Sequence, residues 1–270
     1  MARRWGILLA TPVLATLALA MGAALTATSA SAATAASGSF RPGGPAQLVT
    51  SGKPGALALG ISHQAESTNW SGYAATSGSY TSVSASWTEP AGSCKSGDQY
   101  SSFWVGLDGY NSDTVEQTGS DTDCSGKTPK YYAWYELYPN ASVSYASVLK
   151  PGDHLTASVT YKGSNKFSLY IADTTRGWSH TTAGTLAGAA RSSAEVIVEA
   201  PCCTASGAVL PLTDFGTVSM TGALANGAAF GSAGGMTGIG MVNGSGQDKV
   251  SVSSLSSNGE DFATTWLRSS

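Results

Sequence analysis

Helical periodicity is nearly absent after Ser67, and this absence limits the chain to one class of fold. Short runs rich in Val, Thr, Tyr and Trp alternate between apolar and polar residues, and Gly, Ser, Asn, Asp and Pro separate them. Such a series without intervening helices predicts an all-β fold, either a β-sandwich or a barrel. The Gly/Ala-rich stretch 222–246 has the least pattern and predicts at most one short strand and a mobile loop. The predicted strands are 69–76, 80–88, 100–107, 113–119, 131–138, 154–161, 166–172, 177–183, 194–199, 215–221, 248–254 and 261–266.

The first 66 residues differ from the rest in composition. Two arginines precede an apolar run from Trp5 to about Leu25, and the small-residue site Ala30-Ser31-Ala32 follows. We therefore predict a secretory signal peptide over residues 1–32, an extracellular product, and no stable membrane association after cleavage. Residues 33–66 are rich in Ala, Gly, Ser and Pro. They predict a pro-segment or disordered linker, with an unstructured mature N terminus as the alternative.

Residues 67–270 are sufficient for a single domain. They carry 10 lysines and arginines against 16 acids, a net charge near −6. Because nucleic-acid binding needs a basic surface, a nucleic-acid partner is not expected. Only 11% of the whole chain is charged. Few ion pairs can then be lost when carboxylates protonate, which suits acidic surroundings.

Disulfides are expected for the four cysteines, since the chain is predicted to be exported. Cys94 and Cys124 lie in polar loops and form the preferred pair. Cys202 and Cys203 would then form a vicinal bridge or remain reduced, and the crossed pairings stay open. There is no CxxC motif and no histidine near a cysteine, so no metal site is predicted.

Strand parity predicts which side chains share a face, because residues two apart on a strand point the same way. Each of four strands then has an apolar face and a face bearing acids, amides and tryptophans. If these strands are neighbours, their polar faces form one continuous surface that contains tryptophans. Large aromatic side chains on such a surface indicate a binding groove rather than a solvated face. The predicted sets are Trp104 with Asp108, Gln117 with Asp121, Trp134 with Glu136 and Tyr138, and Glu195 with Glu199.

Several familiar catalytic sets are missing from the sequence. It has three histidines but no GxSxG, no HExxH, no Gly-rich phosphate loop, and neither Asp-Thr-Gly nor Asp-Ser-Gly. No cofactor is therefore predicted, and acid chemistry remains. Two carboxylates could hydrolyse a glycoside, and one carboxylate with an amide could direct water at a peptide carbonyl. The candidate carboxylates are Asp108, Asp121, Glu136, Glu195 and Glu199.

Five ordered segments together resemble the glutamic peptidases, the eqolisins formerly called the A4 peptidases. The similarity runs from about Asn69 to about Met220, and Asp214-Phe215-Gly216 before an alternating strand agrees with it. The segments are Asn69-Trp70-Ser71-Gly72, Trp104-Val105-Gly106-Leu107-Asp108-Gly109, Glu116-Gln117-Thr118-Gly119, Ala133-Trp134-Tyr135-Glu136-Leu137-Tyr138-Pro139 and Ala194-Glu195-Val196-Ile197-Val198-Glu199.

The resemblance implies an antiparallel β-sandwich of two large sheets in a secreted, pepstatin-resistant acid endopeptidase acting on protein substrates. It implies Gln117 and Glu195 as the catalytic pair and a pro-segment ending just before a mature start near Ser67. We expect a monomer. The residues expected to line or support the cleft are Trp70, Trp104, Asp108, Asp121, Glu136 and Glu199.

Two departures from the family pattern lie beside these motifs. Val196 stands where the family has a tryptophan next to the catalytic glutamate, and Leu137 replaces another tryptophan. By parity both side chains lie on the other face of their strands from Glu195 and Glu136, so we expect the two replacements to alter packing rather than chemistry. The sequence after Met220 matches poorly.

Chemically, the pair suits water attack on a peptide bond. Glu195 would take a proton from water and later give it to the leaving amine, while the Gln117 amide stabilises the oxyanion. Two alternatives stay open: a lectin-like sandwich that binds glycans without catalysis, and a glycosidase using two carboxylates.

Overall fold

The computed structural model describes residues 44–49, 64–202 and 208–270. The described residues belong to one compact unit. Their regular structure is almost entirely strand, with a single 3-10 turn at Phe230–Ser232. The strands are β1 (Ala65–Ser67), β2 (Trp70–Ala75), β3 (Ser82–Thr88), β4 (Ser102–Leu107), β5 (Val115–Ser125), β6 (Thr128–Tyr138), β7 (Val143–Ser144), β8 (His154–Tyr161), β9 (Lys166–Asp173), β10 (Trp178–Thr185), β11 (Ala194–Glu199), β12 (Thr217–Ala225), β13 (Ala228–Ala229), β14 (Met236–Val242), β15 (Asp248–Val252) and β16 (Phe262–Trp266).

Hydrogen bonding joins the strands into one continuous ladder, in the order β10-β9-β8-β3-β12-β16-β15-β14-β2-β11-β4-β5-β6-β7. The pairs are antiparallel except for β1, which lies parallel to β14. Strand β12 connects the two halves, since Thr217–Met220 pairs with β16 and Thr221–Ala225 pairs with β3. Strands β4 and β5 also contact β8 and β9, which are far away in the ladder. The sheet therefore folds back on itself into two facing layers.

The space between the layers holds the larger apolar core. Every second side chain of a strand points into this space. In β3, Val83, Ala85 and Trp87 are buried while the residues between them are more exposed. In β2, β4 and β11 every residue is buried, so both faces of these strands are covered. Val196 belongs to the larger core and Leu137 packs against it, which confirms the expected packing role of both positions.

A second apolar cluster lies on the other face of these strands and is here called the aromatic floor. Partly buried Tyr110, Tyr132 and Tyr138 pack around it, as does Ala46 from the N-terminal segment. Trp70 and Trp104 meet edge to face with ring centroids 4.9 Å apart, a favourable geometry for aromatic pairs. The aromatic floor consists of Trp70, Ala74, Trp104, Val115, Trp134, Ile197 and Ile239.

The all-β, antiparallel prediction is confirmed, and each predicted strand overlaps an observed one. The two predicted sheets are instead two layers of one ladder. The Gly/Ala-rich stretch contains more structure than its pattern suggested, because β14 pairs with β2 and β15. Its small residues carry little alternation, so its strand depends on neighbours distant in sequence.

The preferred disulfide is confirmed, with Cys94 bonded to Cys124. Cys202 is also disulfide-bonded, and Cys203 lies outside the described residues. The predicted signal peptide lies outside them too. Among the residues that the structure describes, no helix is long and apolar enough to cross a membrane.

Candidate active site

One row of side chains crosses four neighbouring strands and contains the predicted catalytic pair. Glu195 of β11 is opposite Gly106 of β4, Gly106 is opposite Gln117 of β5, and Gln117 is opposite Glu136 of β6. Neighbouring strands lie about 4.8 Å apart, so Glu195 and Gln117 are separated by one strand. Their side chains share a face because directly opposed residues point the same way.

Gly106 keeps the middle of this row clear. A Cβ atom there would lie 2.8 Å from Cζ3 of Trp104 and 3.2 Å from Cβ of Gln117. Both distances are shorter than ordinary carbon contacts, so a larger residue would displace one of these side chains. The glycine thus leaves a gap, here called the notch, between the Glu195 carboxyl and the Gln117 amide, and the Trp104 ring forms its wall. Gly106 belongs to the Trp104–Gly109 motif, whose pattern alone does not reveal this role.

Glu195 is fully buried. Burial raises the pKa of its carboxyl well above the ordinary value, and the negative charges of Asp108 and Glu116 raise it further, while the Ser193 hydroxyl acts in the opposite direction. Arg191 is close to Glu195 in sequence, but its guanidinium lies over the Tyr161 ring, 4.2 Å from the centroid. The site therefore shifts the equilibrium of Glu195 toward its protonated form.

Gln117 is held by a hydrogen bond to a carboxyl of the next strand. Its Nε2 donates to Oε2 of Glu136 at 2.9 Å, and both residues are fully buried. This bond fixes the rotation of the amide. Glu136, expected to be either structural or part of the cleft, is thus in direct contact with the predicted catalytic amide.

The far end of the aromatic floor contains Glu199. It accepts hydrogen bonds from Nε1 of Trp104 at 2.8 Å and from Nδ2 of Asn69 at 3.4 Å. Burial raises the pKa of Glu199 well above its ordinary value. Glu199 and Glu195 lie on one face of β11, as predicted, but Glu199 holds the tryptophan that walls the notch.

Asp108 clamps the loop that leads into β11. Its carboxylate accepts hydrogen bonds from the backbone N–H groups of Arg191 at 2.6 Å and Ser192 at 2.8 Å. Its own backbone has a φ of 70°, a conformation that aspartate tolerates better than most residues. The structure therefore places Asp108 as a support for the Glu195 strand rather than as a second carboxyl in the row.

Asp121 belongs to a chain of buried polar groups. Trp134 donates to it through Nε1 at 2.6 Å, and the Tyr132 hydroxyl lies 2.8 Å from Asp121 and 2.7 Å from Asp123. The Tyr132 hydroxyl has a single proton, which these two carboxyls share. Burial raises the pKa of Asp121 to about 7 and that of Asp123 to about 8.

Glu116 and Glu89 are among the buried acids that the sequence did not predict. Glu116 is fully buried beside the core residues Leu107 and Leu137, and burial followed by the charge of Asp108 raises its pKa to about 8. Glu89 is buried against the hydroxyls of Ser120 and Thr122. No strand pattern marked either residue, because alternation predicts apolar side chains at buried positions.

A short N-terminal segment lies against this site. Ala46 packs on the aromatic floor and donates its N–H to the Gly109 carbonyl at 3.0 Å. Asn69 binds the segment on both sides, since Nδ2 donates to the Pro45 carbonyl and Oδ1 accepts from the Gln47 N–H at 2.7 Å. Residues 44–49, predicted as part of a pro-segment or linker, are thus in contact with the cleft.

The described residues contain no group of three or more His, Cys, Asp or Glu side chains that could hold a metal ion. The row brings together a carboxyl, a group able to transfer a proton, and an amide, a group able to donate hydrogen bonds.

Comparisons with known proteins agree in placing this architecture among peptidases. The sequence profile of the Peptidase A4 family matches residues 68–266. Scytalidopepsin B from Scytalidium lignicola is 32% identical over 139 residues, which cover 48% of this chain and 51% of that protein. The chain thus matches about half the length of this curated relative.

Solved structures resemble the fold over most of their length. A scytalido-glutamic peptidase with a transition-state analogue inhibitor superposes with a TM-score of 0.64 at 24% identity, covering 74% of this chain and 98% of that one. The aspergilloglutamic peptidase from Aspergillus niger gives a TM-score of 0.55 at 25% identity, covering 63% and 99%.

Proposed function

Since this chain belongs to the Peptidase A4 family, we propose that it is a secreted, pepstatin-insensitive acid endopeptidase that hydrolyses proteins through Glu195 and Gln117. The observation that carries this proposal is the row in which only the glycine notch at Gly106 separates the carboxyl from the amide. A water and a scissile carbonyl can both be held between two such groups. Peptide substrates agree with solved relatives that hold peptide-based inhibitors.

The reaction begins with the ionised form of Glu195. The carboxylate takes a proton from water, the oxygen attacks the peptide carbonyl, and an N–H of Gln117 donates to the oxyanion that forms. Removing one such donor typically costs about 3–4 kcal/mol of transition-state stabilisation. Glu195 then gives its proton to the nitrogen as the carbon–nitrogen bond breaks, yielding a carboxylic acid and an amine.

The raised pKa of Glu195 has two opposing effects on this reaction. It makes the carboxylate a stronger base and helps it retain the proton until the amine leaves. It also lowers the fraction of ionised enzyme at acid pH. The acid limb of the pH profile is therefore assigned to Glu195.

Supporting residues hold both groups in position. Glu136 fixes the Gln117 amide, Glu199 fixes the Trp104 wall through its indole N–H, and Asp108 fixes the loop before Glu195. These contacts involve fully buried side chains, so the site is organised before substrate binds. Such preorganisation is the main source of electrostatic stabilisation in enzymes.

The N-terminal segment is proposed to cover the cleft until it is removed. Ala46 occupies the aromatic floor and binds the Gly109 carbonyl through its backbone, as a peptide substrate would. Cleavage near Ser67 would release this segment. N-terminal sequencing of protein from the culture medium, before and after acid treatment, tests both secretion and processing.

Digestion of casein and denatured haemoglobin across pH 2–7, with pepstatin present, tests the activity. Wild type, Glu195→Gln and Gln117→Ala would be compared after acid activation, each with a matching circular-dichroism spectrum. We expect peptide release by wild type, its loss in Glu195→Gln, and a loss of at least about a hundredfold in Gln117→Ala. Absence of release by folded, processed wild type would refute the proposal and favour a glycan-binding sandwich. Hydrolysis of glycosides that survives Gln117→Ala would favour a glycosidase.

A further inference from the structure

Lys249 is a buried cation that forms no ion pair with an acidic side chain in the described part of the chain. Its side chain is 4% exposed, and alternation along β15 turns it away from the core residues Val250 and Val252. All 17 acidic residues of the sequence lie within the described ranges, and the ion pairs found there involve Arg176 rather than Lys249. A buried ammonium that is not paired with a carboxylate is costly, so an anion that enters beside it would be favoured.

Lys249 lines a cavity of about 460 Å³. The rest of the wall mixes polar and apolar residues, and Ser245 adds a hydroxyl that can donate a hydrogen bond. Burial lowers the pKa of Lys249 to about 8, so the ammonium is still protonated throughout acid and neutral pH. The polar residues that line the cavity include Gln47, Thr68, Asn243, Ser245 and Ser270.

Consecutive residues of the N-terminal segment contact the aromatic floor and the cavity. Ala46 packs on the floor, and the next residue, Gln47, lines the cavity beside Lys249. A peptide chain following the same path would place consecutive side chains at the two sites. The Gln47 side chain lies at the wall of the cavity, where its Oε1 accepts from the Thr68 hydroxyl at 2.9 Å and its Nε2 donates to Sγ of Cys202 at 3.1 Å.

We propose that the Lys249 cavity is a substrate subsite for an acidic side chain, which Gln47 vacates when the N-terminal segment is removed. The ligand is the carboxylate of a glutamate or aspartate in the peptide, held by the Lys249 ammonium in a charge-assisted hydrogen bond. This inference rests on the proposed peptidase function, and it adds a preference at one substrate position.

A matched peptide series tests this preference in the processed enzyme. Internally quenched peptides that differ only by Glu or Gln, moved through the positions on both sides of the scissile bond, would be compared at pH 5. Glutamate is mostly ionised at this pH, since its reference pKa is about 4.3. We expect one position at which Glu is preferred about tenfold or more in kcat/KM, mainly through KM, and a much smaller preference at pH 3.

Variants assign the preference to this side chain. Lys249→Met removes the charge at similar length and should abolish the Glu-to-Gln ratio, whereas Lys249→Arg should keep it. Lys166→Met removes an exposed lysine and should leave the ratio unchanged, which controls for net charge. Because the ratio is internal to each protein, a partial loss of folding does not change its meaning.

The subsite would be refuted if wild type cleaves the neutral peptides but does not discriminate Glu from Gln at any position. It would also be refuted if Lys249→Met leaves the Glu-to-Gln ratio of kcat/KM unchanged. The subsite can also be tested without turnover, by calorimetric binding of the two peptides to processed Glu195→Gln. Tighter binding of the Glu peptide that Lys249→Met removes in this background would support it, and equal binding would refute it. No cleavage of any peptide would instead refute the peptidase proposal.

Discussion

Glu89 makes the fold depend on acid conditions, and replacing it with glutamine should remove part of that dependence. Its carboxyl is 1% exposed and accepts hydrogen bonds from Ser120 at 2.5 Å and Thr122 at 2.6 Å. Burial raises its pKa to about 8, and the negative charge of Asp123 acts in the same direction. The folded protein therefore keeps this carboxyl protonated where an unfolded chain would ionise it.

The sign and size of the effect follow from linkage. Below pH 4.5 both states bind the proton, and the stability contribution is fully present. As the pH rises from 4.5 to about 8, only the unfolded state releases it, so the free energy of unfolding falls. One pKa unit corresponds to about 1.4 kcal/mol, so this difference is worth on the order of 4–5 kcal/mol by pH 8.

Urea unfolding followed by tryptophan fluorescence between pH 3 and pH 8 measures this term. Glu89→Gln has no proton to lose, and hydroxyls can rotate to accept from its amide. We expect it to lie within about 1 kcal/mol of wild type at pH 4 and to be several kcal/mol more stable at pH 8. Asp113→Asn, at an exposed site, should follow wild type throughout. Parallel curves for wild type and Glu89→Gln would refute the reasoning.

Three further predictions concern the row and its supports. Trp104→Phe removes the indole N–H that Glu199 accepts at 2.8 Å, and we expect a loss of about 1–3 kcal/mol in urea unfolding together with lower kcat; unchanged stability would contradict this. Gly72→Ala places a Cβ 2.3 Å from a backbone oxygen of the Glu195 strand at a φ of 137°, so we expect a loss of more than about 3 kcal/mol. Gly244→Ala, with no atom within 4 Å of the new Cβ, should be nearly neutral by the same measurement. In kcat/KM against pH, the acid limb should lie above the 4.5 of an ordinary glutamate because burial raises the pKa of Glu195; a limb below 4 would refute that assignment.

Much of the fold and of the site was predictable because strand periodicity is a local property. Alternation placed Gln117 with Asp121 and Glu195 with Glu199, and the registers across β4, β5 and β11 agree with those faces. The same rule failed for Glu116 and Glu89, which are buried carboxyls at positions where alternation calls for apolar side chains. Their environment is assembled from strands distant in sequence, so no local pattern could reveal it.

The sequence by itself determined the strand content, the order of the motifs and the apolar and polar faces, because each depends on neighbouring residues. Loop composition favoured the Cys94–Cys124 pair but left the crossed pairings open. Tertiary structure alone decided that Gly106 lies between Glu195 and Gln117, since register is set by pairing between strands that are distant in the chain. It also decided the burial of the acids, and therefore their raised pKa values, because desolvation depends on every layer packed around a group.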